Sequence, residues 1–311
     1  TYTDDFSVSH DYFADGVTNT TWDGVYAYPK FTIPDTTFVS DPAASVFSAD
    51  ANITSNNVLT VTSENVGWEN AQDDGFFLFK YVPADFQVAV HITTPLLDTN
   101  NNVIASYNYP GLLARPYSVD ASGNIGAPFD TNGDSWISWA RFDEFGIGTR
   151  AERIIDNNTL PAPSTDVGDG QLWLLEVRQN GTNFLFYQRA NATDPWQPAP
   201  AGQSFSVPSF AGAPMQVGIE EGGFDSGTVD TGQFDSFMLD VSVFHPTITA
   251  SSSDGNINLS WPATGSFTLQ STPSLNPTDW QPVTATSITN NGIATVTLPA
   301  TNATMFFRLV Q

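Results

Sequence analysis

The chain has 311 residues, 40% of them hydrophobic, with 23 Phe and 8 Trp. That supplies enough apolar surface for two domains and a sizeable core, and it excludes a disordered chain. Thirty-three acids against nine bases give a net charge of −24, which argues against nucleic acid or an anionic membrane as partner; the absence of cysteine excludes thiol chemistry and cysteine-ligated zinc.

The opening "TYTDDFSV" carries neither Met nor a basic-apolar leader and has the look of a mature N-terminus, so a secreted, extracellular protein is expected. No window reads as 18 or more apolar residues, so no membrane-spanning segment is expected. Residues 68 to 92, "WENAQDDGFFLFKYVPADFQVAVHI", crowd Glu69, Asp73 and Asp74 beside Trp68 and ahead of an apolar run. Asp and Gly are turn residues and a strand follows at once, so Asp73-Asp74-Gly75 reads as a turn. A ligand rim and catalytic acids stay open as alternatives. A glycosidase needs two carboxyls about 5–5.5 Å apart if retaining, or about 6.5–9.5 Å if inverting. Glu69 and Asp73 would lie about 13 Å apart on a straight strand. In "FQVAVHI", Phe86, Val88, Val90 and Ile92 share one face and His91 takes the other, where it is a candidate base.

"DTNGDS" at 130 to 135 opens like a calcium loop, but Arg141 stands at its twelfth position where a helix-loop-helix site needs Glu, so that motif is rejected. "SWISWARF" is a short strand that sets Arg141 two residues from Trp139. "LWLLEVRQNGTNFLFYQR" is the clearest hairpin. Asn180-Gly181 suits a two-residue turn of type I′, which pairs Gln179 with Thr182. Counting outward puts Trp173, Leu175, Val177, Phe184, Phe186 and Gln188 on a dry core face. Leu174, Glu176, Arg178, Leu185, Tyr187 and Arg189 fall on a wet or ligand-bearing face. In "MQVGIEEGG", adjacent Glu220 and Glu221 point to opposite faces and cannot serve one bond; Glu220 with Glu176 across the sandwich face is a candidate pair. "FDSFMLDVSVF" closes the pattern of short strands bounded by Gly, Pro, Asn and Asp, and no long segment has helical spacing. The fold class is all-β, and a sandwich fits best.

A boundary falls near residue 246, where "VFHPTITASSSDGNINLSW" passes through Pro and a Ser-rich turn. Residues 246–311 then form a small unit whose expected core is Trp261, Phe267, Leu269, Trp280, Val296, Leu298, Phe307 and Leu309.

The ordered series "TWDGVY", "LTVTSENVGW", "DDGFFLFKYVPADFQVAVHI", "PGLLAR", "QLWLLEVRQNGTNFLFYQRANATDPWQP", "MQVGIEEGG" and "FDSFMLDV" resembles a laminin-G-like, concanavalin-A-type jelly roll of secreted bacterial polysaccharide-utilisation proteins, over residues 1–245. The tail "INLSWPATGSFTLQSTPSLNPTDWQPV" to "TMFFRLVQ" is similar to the immunoglobulin- or fibronectin-III-like modules of such proteins, which implies a spacer or attachment role for residues 246–311. The jelly-roll class holds lectins, binding modules, glycoside hydrolases and polysaccharide lyases, so fold alone does not choose a function. The laminarinase-type Glu-x-Asp-x-x-Glu is missing from this sequence. The resemblance also implies a structural calcium joining the N-terminus to the last strand, with Asp5 and Asp235 as partial ligands.

Six of the seven arginines fall between residues 115 and 189. Arg beside a stacking aromatic suits sugar hydroxyls or uronate carboxylates, although the same pattern also fits salt bridges on an acidic chain. The expected polysaccharide site therefore gathers Trp68, Glu69, Arg115, Trp139, Arg141, Arg178, Tyr187 and Arg189. Glu176, Glu220 and His91 are the catalytic candidates if the protein is an enzyme. Three readings follow from the sequence: a non-catalytic polysaccharide binder, which is favoured, a glycoside hydrolase or polysaccharide lyase, and a structural surface or filament protein.

Overall fold

The computed structural model describes residues 1–27, 30–32, 45–68, 75–83, 85–94, 108–117, 135–142, 148–155, 158–159, 165–166, 172–199, 204–223, 229–241, 248–253, 255–262, 268–276, 279–290, 293–300 and 304–310. The chain divides into two compact units, Thr1–Val241 and Ser242–Gln311. The boundary expected near residue 246 lies outside the described residues.

In the larger unit thirteen strands carry the architecture: β1 (Tyr2–Asp4), β2 (Gly24–Ala27), β3 (Ser45–Ala51), β4 (Leu59–Glu64), β5 (Phe76–Val82), β6 (Phe86–Ile92), β7 (Gly111–Pro116), β8 (Trp136–Phe142), β9 (Gly148–Ile155), β10 (Leu172–Gln179), β11 (Asn183–Arg189), β12 (Met215–Glu221) and β13 (Asp230–Val241). They form two antiparallel sheets. Sheet 1 runs β11–β10–β6–β13–β4–β3, with β1 also on β13; sheet 2 runs β9–β8–β7–β12–β5–β2. Shorter strands extend both edges. The unit is an all-β sandwich.

Period-two alternation builds its core. Phe86, Val88, Val90 and Ile92 of β6 point inward, as do Leu112 and Ala114 of β7, Ile137 and Trp139 of β8, Met215, Val217 and Ile219 of β12, and Phe234, Phe237 and Leu239 of β13. The outer face of sheet 2 is also buried. Tyr26, Trp68, Phe77, Phe79, Leu113 and Trp136 form a second cluster there. Gly218 lies on this face because β12 runs so close to β5 that a Cβ would strike the Leu78 carbonyl.

The hairpin of β10 and β11 differs from the two-residue turn read from Asn-Gly. Gln179 pairs with Asn183, so the loop holds three residues, Asn180, Gly181 and Thr182. Asn180 (φ 55°) and Gly181 (φ 69°) both take the left-handed conformation that a primed turn demands. Thr182 adds the extra residue. A one-residue slip reverses the faces of one strand relative to the other, and here it is β10 that is reversed against the expectation. The faces are therefore Leu174, Glu176, Arg178, Phe184 and Phe186 inward, and Trp173, Leu175, Val177, Leu185, Tyr187 and Arg189 outward. The expected dry face of β10 is the outer one, and the expected wet face is the interior.

The smaller unit has a four-stranded and a three-stranded sheet among its described residues. Leu259, Trp261, Leu269, Ala294 and Val296 are its buried core, and Leu298, Phe307 and Leu309 pack against it. Trp280 stands outside that cluster, under the Arg308 guanidinium at 4.4 Å. Phe267 lies outside the described residues. No described helix is long and apolar enough to cross a membrane.

Candidate functional site

The fold separates the candidate residues into three places. Glu176, Arg178, Trp139 and Arg141 lie between the sheets. Glu176 is 0% exposed, and neither of its oxygens has a hydrogen-bond partner among the described residues. Removal from water disfavours the charged carboxylate and holds its pKa well above the usual carboxylate range. Arg178 is a structural cross-brace. It donates from Nε and Nη2 to the Gly181 carbonyl (3.2 and 2.8 Å), from Nη2 to Phe210 O (2.6 Å) and from Nη1 to Ala213 O (2.9 Å). Burial lowers its pKa, and Asp85 opposes that shift. Asp85 in turn accepts from the Gly181 amide at 2.8 Å. Trp139 donates to the Tyr187 carbonyl at 3.1 Å, and Arg141, 0% exposed, donates to the Thr94 carbonyl. The expectation that Arg178 and Glu176 line a ligand groove is thus corrected. The guanidinium is buried because backbone carbonyls satisfy it, and the carboxyl because it can be neutral.

Trp68, Arg115 and Glu220 lie on the outer face of sheet 2. Glu220 accepts a hydrogen bond from Ser138 Oγ. Arg115 and Gln216 stand side by side in the register of β7 and β12, and all four polar residues are buried among the aromatic cluster. Glu69, Asp73 and Asp74 lie outside the described residues, as does residue 130–134 of the rejected calcium loop.

His91, Asp235, Tyr187 and Arg189 meet on the outer face of sheet 1. Register lines up Ser236, His91, Trp173 and Arg189 across β13, β6, β10 and β11. A β-bulge between Phe234 and Ser236 makes Asp235 the extra residue, and its carboxylate accepts from His91 Nδ1 at 2.6 Å. The His91 and Trp173 rings stack at 4.6 Å and 12°. The Arg189 guanidinium lies 5.0 Å from the Trp173 ring centre and 4.1 Å from that of Trp196, and donates to the Asp194 carbonyl at 3.3 Å. The result is a ladder: carboxylate, imidazole, indole, guanidinium, indole.

Beside the ladder opens a cleft of about 610 Å³. Ala89, Trp173, Arg189 and Met238 supply its sheet side, while Asp4, Asp5, Val8 and His10 come from the N-terminal segment. β1 brings that segment over the sheet by pairing Thr3 with Met238. Ala89 is the small residue in a row that otherwise holds Met238, Leu175 and Tyr187. Asp4 accepts from the Phe6 amide (2.8 Å) and from Trp22 Nε1 (2.8 Å); Asp5 Oδ1 accepts from the Ser7 amide (3.1 Å) and hydroxyl (2.6 Å). The Ser7 bonds hold the Asp5 carboxyl below its ordinary pKa, so it is ionised at neutral pH.

Asp5 and Asp235, the calcium ligands that the resemblance implies, are each hydrogen-bonded within the chain. Asp5 is engaged with Ser7 and Asp235 with His91, and no group of three or more His, Asp or Glu able to hold a metal assembles among the described residues. The sequence missed Trp173 as a surface group and Trp196 altogether. "DPWQP" carried the only signal for Trp196, a Trp between prolines on a strand edge.

No family model matches the chain, and no curated protein is similar to it in sequence. Solved structures do superpose in part. A xylan β-1,4-xylosidase from Bacillus halodurans aligns at 13% identity and a TM-score of 0.48, and the GH43 protein BlXynB from Bacillus licheniformis at 13% and 0.46; each alignment covers 77% of this chain and 39% of the other. A β-1,3-glucanase from Mycobacterium marinum aligns at 11% and 0.40, over 76% of this chain and 97% of its own. The chain thus spans about two fifths of the length of the two Bacillus proteins. Identities and scores this low assign no activity.

Proposed function

We propose that the larger unit is a polysaccharide-binding sandwich of the laminin-G or concanavalin type, and that it holds a glycan chain in the cleft on the outer face of sheet 1. One observation carries the reading: a cleft of about 610 Å³ whose apolar floor and polar rim converge beside the Trp173–Arg189 ladder. Such a volume lies within the roughly 300–1,000 Å³ of ligand sites, and a few placed polar groups on an apolar floor give orientation. The smaller unit serves as a spacer or attachment module. The test is affinity electrophoresis against neutral and acidic polysaccharides. Retardation by a glycan, lost in Trp173→Ala with the melting temperature retained, is the expected result; equal retardation of the variant places the site elsewhere.

A second reading, a glycoside hydrolase, is favoured by Glu220. It is a buried carboxylate hydrogen-bonded to Ser138, on the same outer face of sheet 2 as the cluster of Trp68, Phe77 and Trp136. Hydrolysis requires a second acid about 5–9.5 Å away. Release of reducing sugar by the wild type, abolished in Glu220→Gln, would replace the binding reading with this one.

A further inference from the structure

We infer that the cleft takes a neutral, hydroxyl-bearing glycan, held by hydrogen bonds at the edges of the ladder rather than by ring stacking, and that it turns away polyuronates. This rests on the glycan reading above and deepens it. The ladder itself gives the first reason. Trp173 stacks on His91 at 4.6 Å and carries the Arg189 guanidinium at 5.0 Å, so its indole is already packed between two planar groups. A pyranose needs an open aromatic face to stack. Trp173 is only partly buried and lines the cleft, and with both neighbours packed on its ring it has its edge left for hydroxyls.

The fixed charges of the cleft give the second reason. Arg189 lines it, but its guanidinium is clasped by Trp173 and Trp196 and donates to the Asp194 carbonyl. His10 is tied through Nε2 to the Gly16 carbonyl at 2.8 Å. Against them stand Asp4 and Asp5. The Asp5 oxygen that Ser7 uses is Oδ1; Oδ2 faces solvent at the rim as an acceptor for a sugar hydroxyl. A hydroxyl can donate to that oxygen, whereas a uronate carboxylate can only oppose it. Each like-charge contact near 4 Å weakens binding by about fivefold even at the dielectric constant of water, and the net charge of −24 adds to the opposition at longer range.

The experiment measures retardation of the full chain in gels containing neutral β-glucan, neutral arabinoxylan, alginate or polygalacturonate, each at low salt and at about 0.5 M salt, where the Debye length falls to about 4 Å. The variants are Asp5→Asn, which keeps the acceptor that caps Ser7, Trp173→Ala, and Val8→Trp, which crowds the cleft from a residue 76% exposed. A neutral glycan is expected to bind with little salt dependence, and Trp173→Ala and Val8→Trp should each weaken it at least about tenfold. The uronates should bind at least about tenfold more weakly, and Asp5→Asn or high salt should narrow that gap about threefold or more. If the wild type binds a uronate as tightly as a neutral glycan and both cleft variants lose it, the cleft reading stands and the neutral-glycan inference is overturned. If no glycan binds, or both variants bind as the wild type does, the cleft reading falls and takes the inference with it.

Discussion

Two residues of β10 show how differently a buried charge can be accommodated. Glu176 has a folded-state pKa raised by burial above its unfolded value. Folding therefore takes up a proton as pH rises past the unfolded pKa. The contribution to stability is fully present below the ordinary carboxylate value of 4.5 and is lost as pH rises toward the folded-state pKa. Gln has no proton to lose. The melting temperature of Glu176→Gln, followed by calorimetry from acid to neutral pH, should match the wild type at the acid end and exceed it increasingly toward neutrality. A constant difference across that range would mean that the Glu176 carboxyl titrates as it does in the unfolded chain, with no upward shift from burial. Arg178 cannot take the neutral route, and it relies on backbone carbonyls instead. Arg178→Ala strips the partners from Gly181, Phe210 and Ala213, and should cost about 2–5 kcal/mol, a fall of about 5–15 °C in Tm. Arg178→Lys keeps the charge but not the fork and should recover only part of the loss. An unchanged Tm for Arg178→Ala would show that water satisfies those carbonyls as well as the side chain does.

The β10–β11 hairpin depends on the length of its loop. Removing Thr182 leaves the two-residue Asn180-Gly181 connection that the sequence favours, and the slip carries Phe184 and Phe186 out of the core. The expected outcome is loss of the cooperative thermal transition and of the near-ultraviolet circular dichroism of the larger unit. A variant that melts as the wild type does would show that β11 repacks in the other register. The same hairpin marks how far this sequence could be read. β6 was legible because Phe86, Val88, Val90 and Ile92 are uniformly apolar and His91 is the odd member. β10 was not, because its inward row holds Glu176 and Arg178 while its outward row holds Trp173, Leu175 and Val177. Hydropathy points the wrong way when the buried charges are neutralised or braced and the outer row is sheltered by Leu185, Tyr187 and Trp196. The ladder was half legible. His91 and Arg189 were singled out from residue type and Asp235 only through the resemblance, but their meeting depends on the bulge at Asp235, which no local spacing announces.

At the scale of the molecule, the all-β class was plain from short alternating runs and turn residues, whereas the burial of polar Arg115, Gln216 and Glu220 on the outer face of sheet 2 was not, since an outward strand face is ordinarily wet. The two units differ greatly in size, and size governs how each should behave alone. Thr1–Val241 contains both large sheets, the cleft and the ladder, so it should fold by itself and keep its glycan binding. Among its described residues Ser242–Gln311 has a core of five buried side chains, Leu259, Trp261, Leu269, Ala294 and Val296, and it should be only marginally stable alone. The intact chain should then show two calorimetric transitions, a weak early one for the smaller unit and a larger one that the 1–241 piece reproduces. Raising salt from low concentration to about 0.15 M should move the larger transition upward, because screening relieves the self-repulsion of an acid-rich surface. Limited proteolysis should cut first near the boundary between the units, at about 245 to 255, since joints between folded units are nicked before the units themselves. A single transition shared by the whole chain, together with a 1–241 piece that neither folds nor binds, would show that the larger unit depends on the smaller one for its stability.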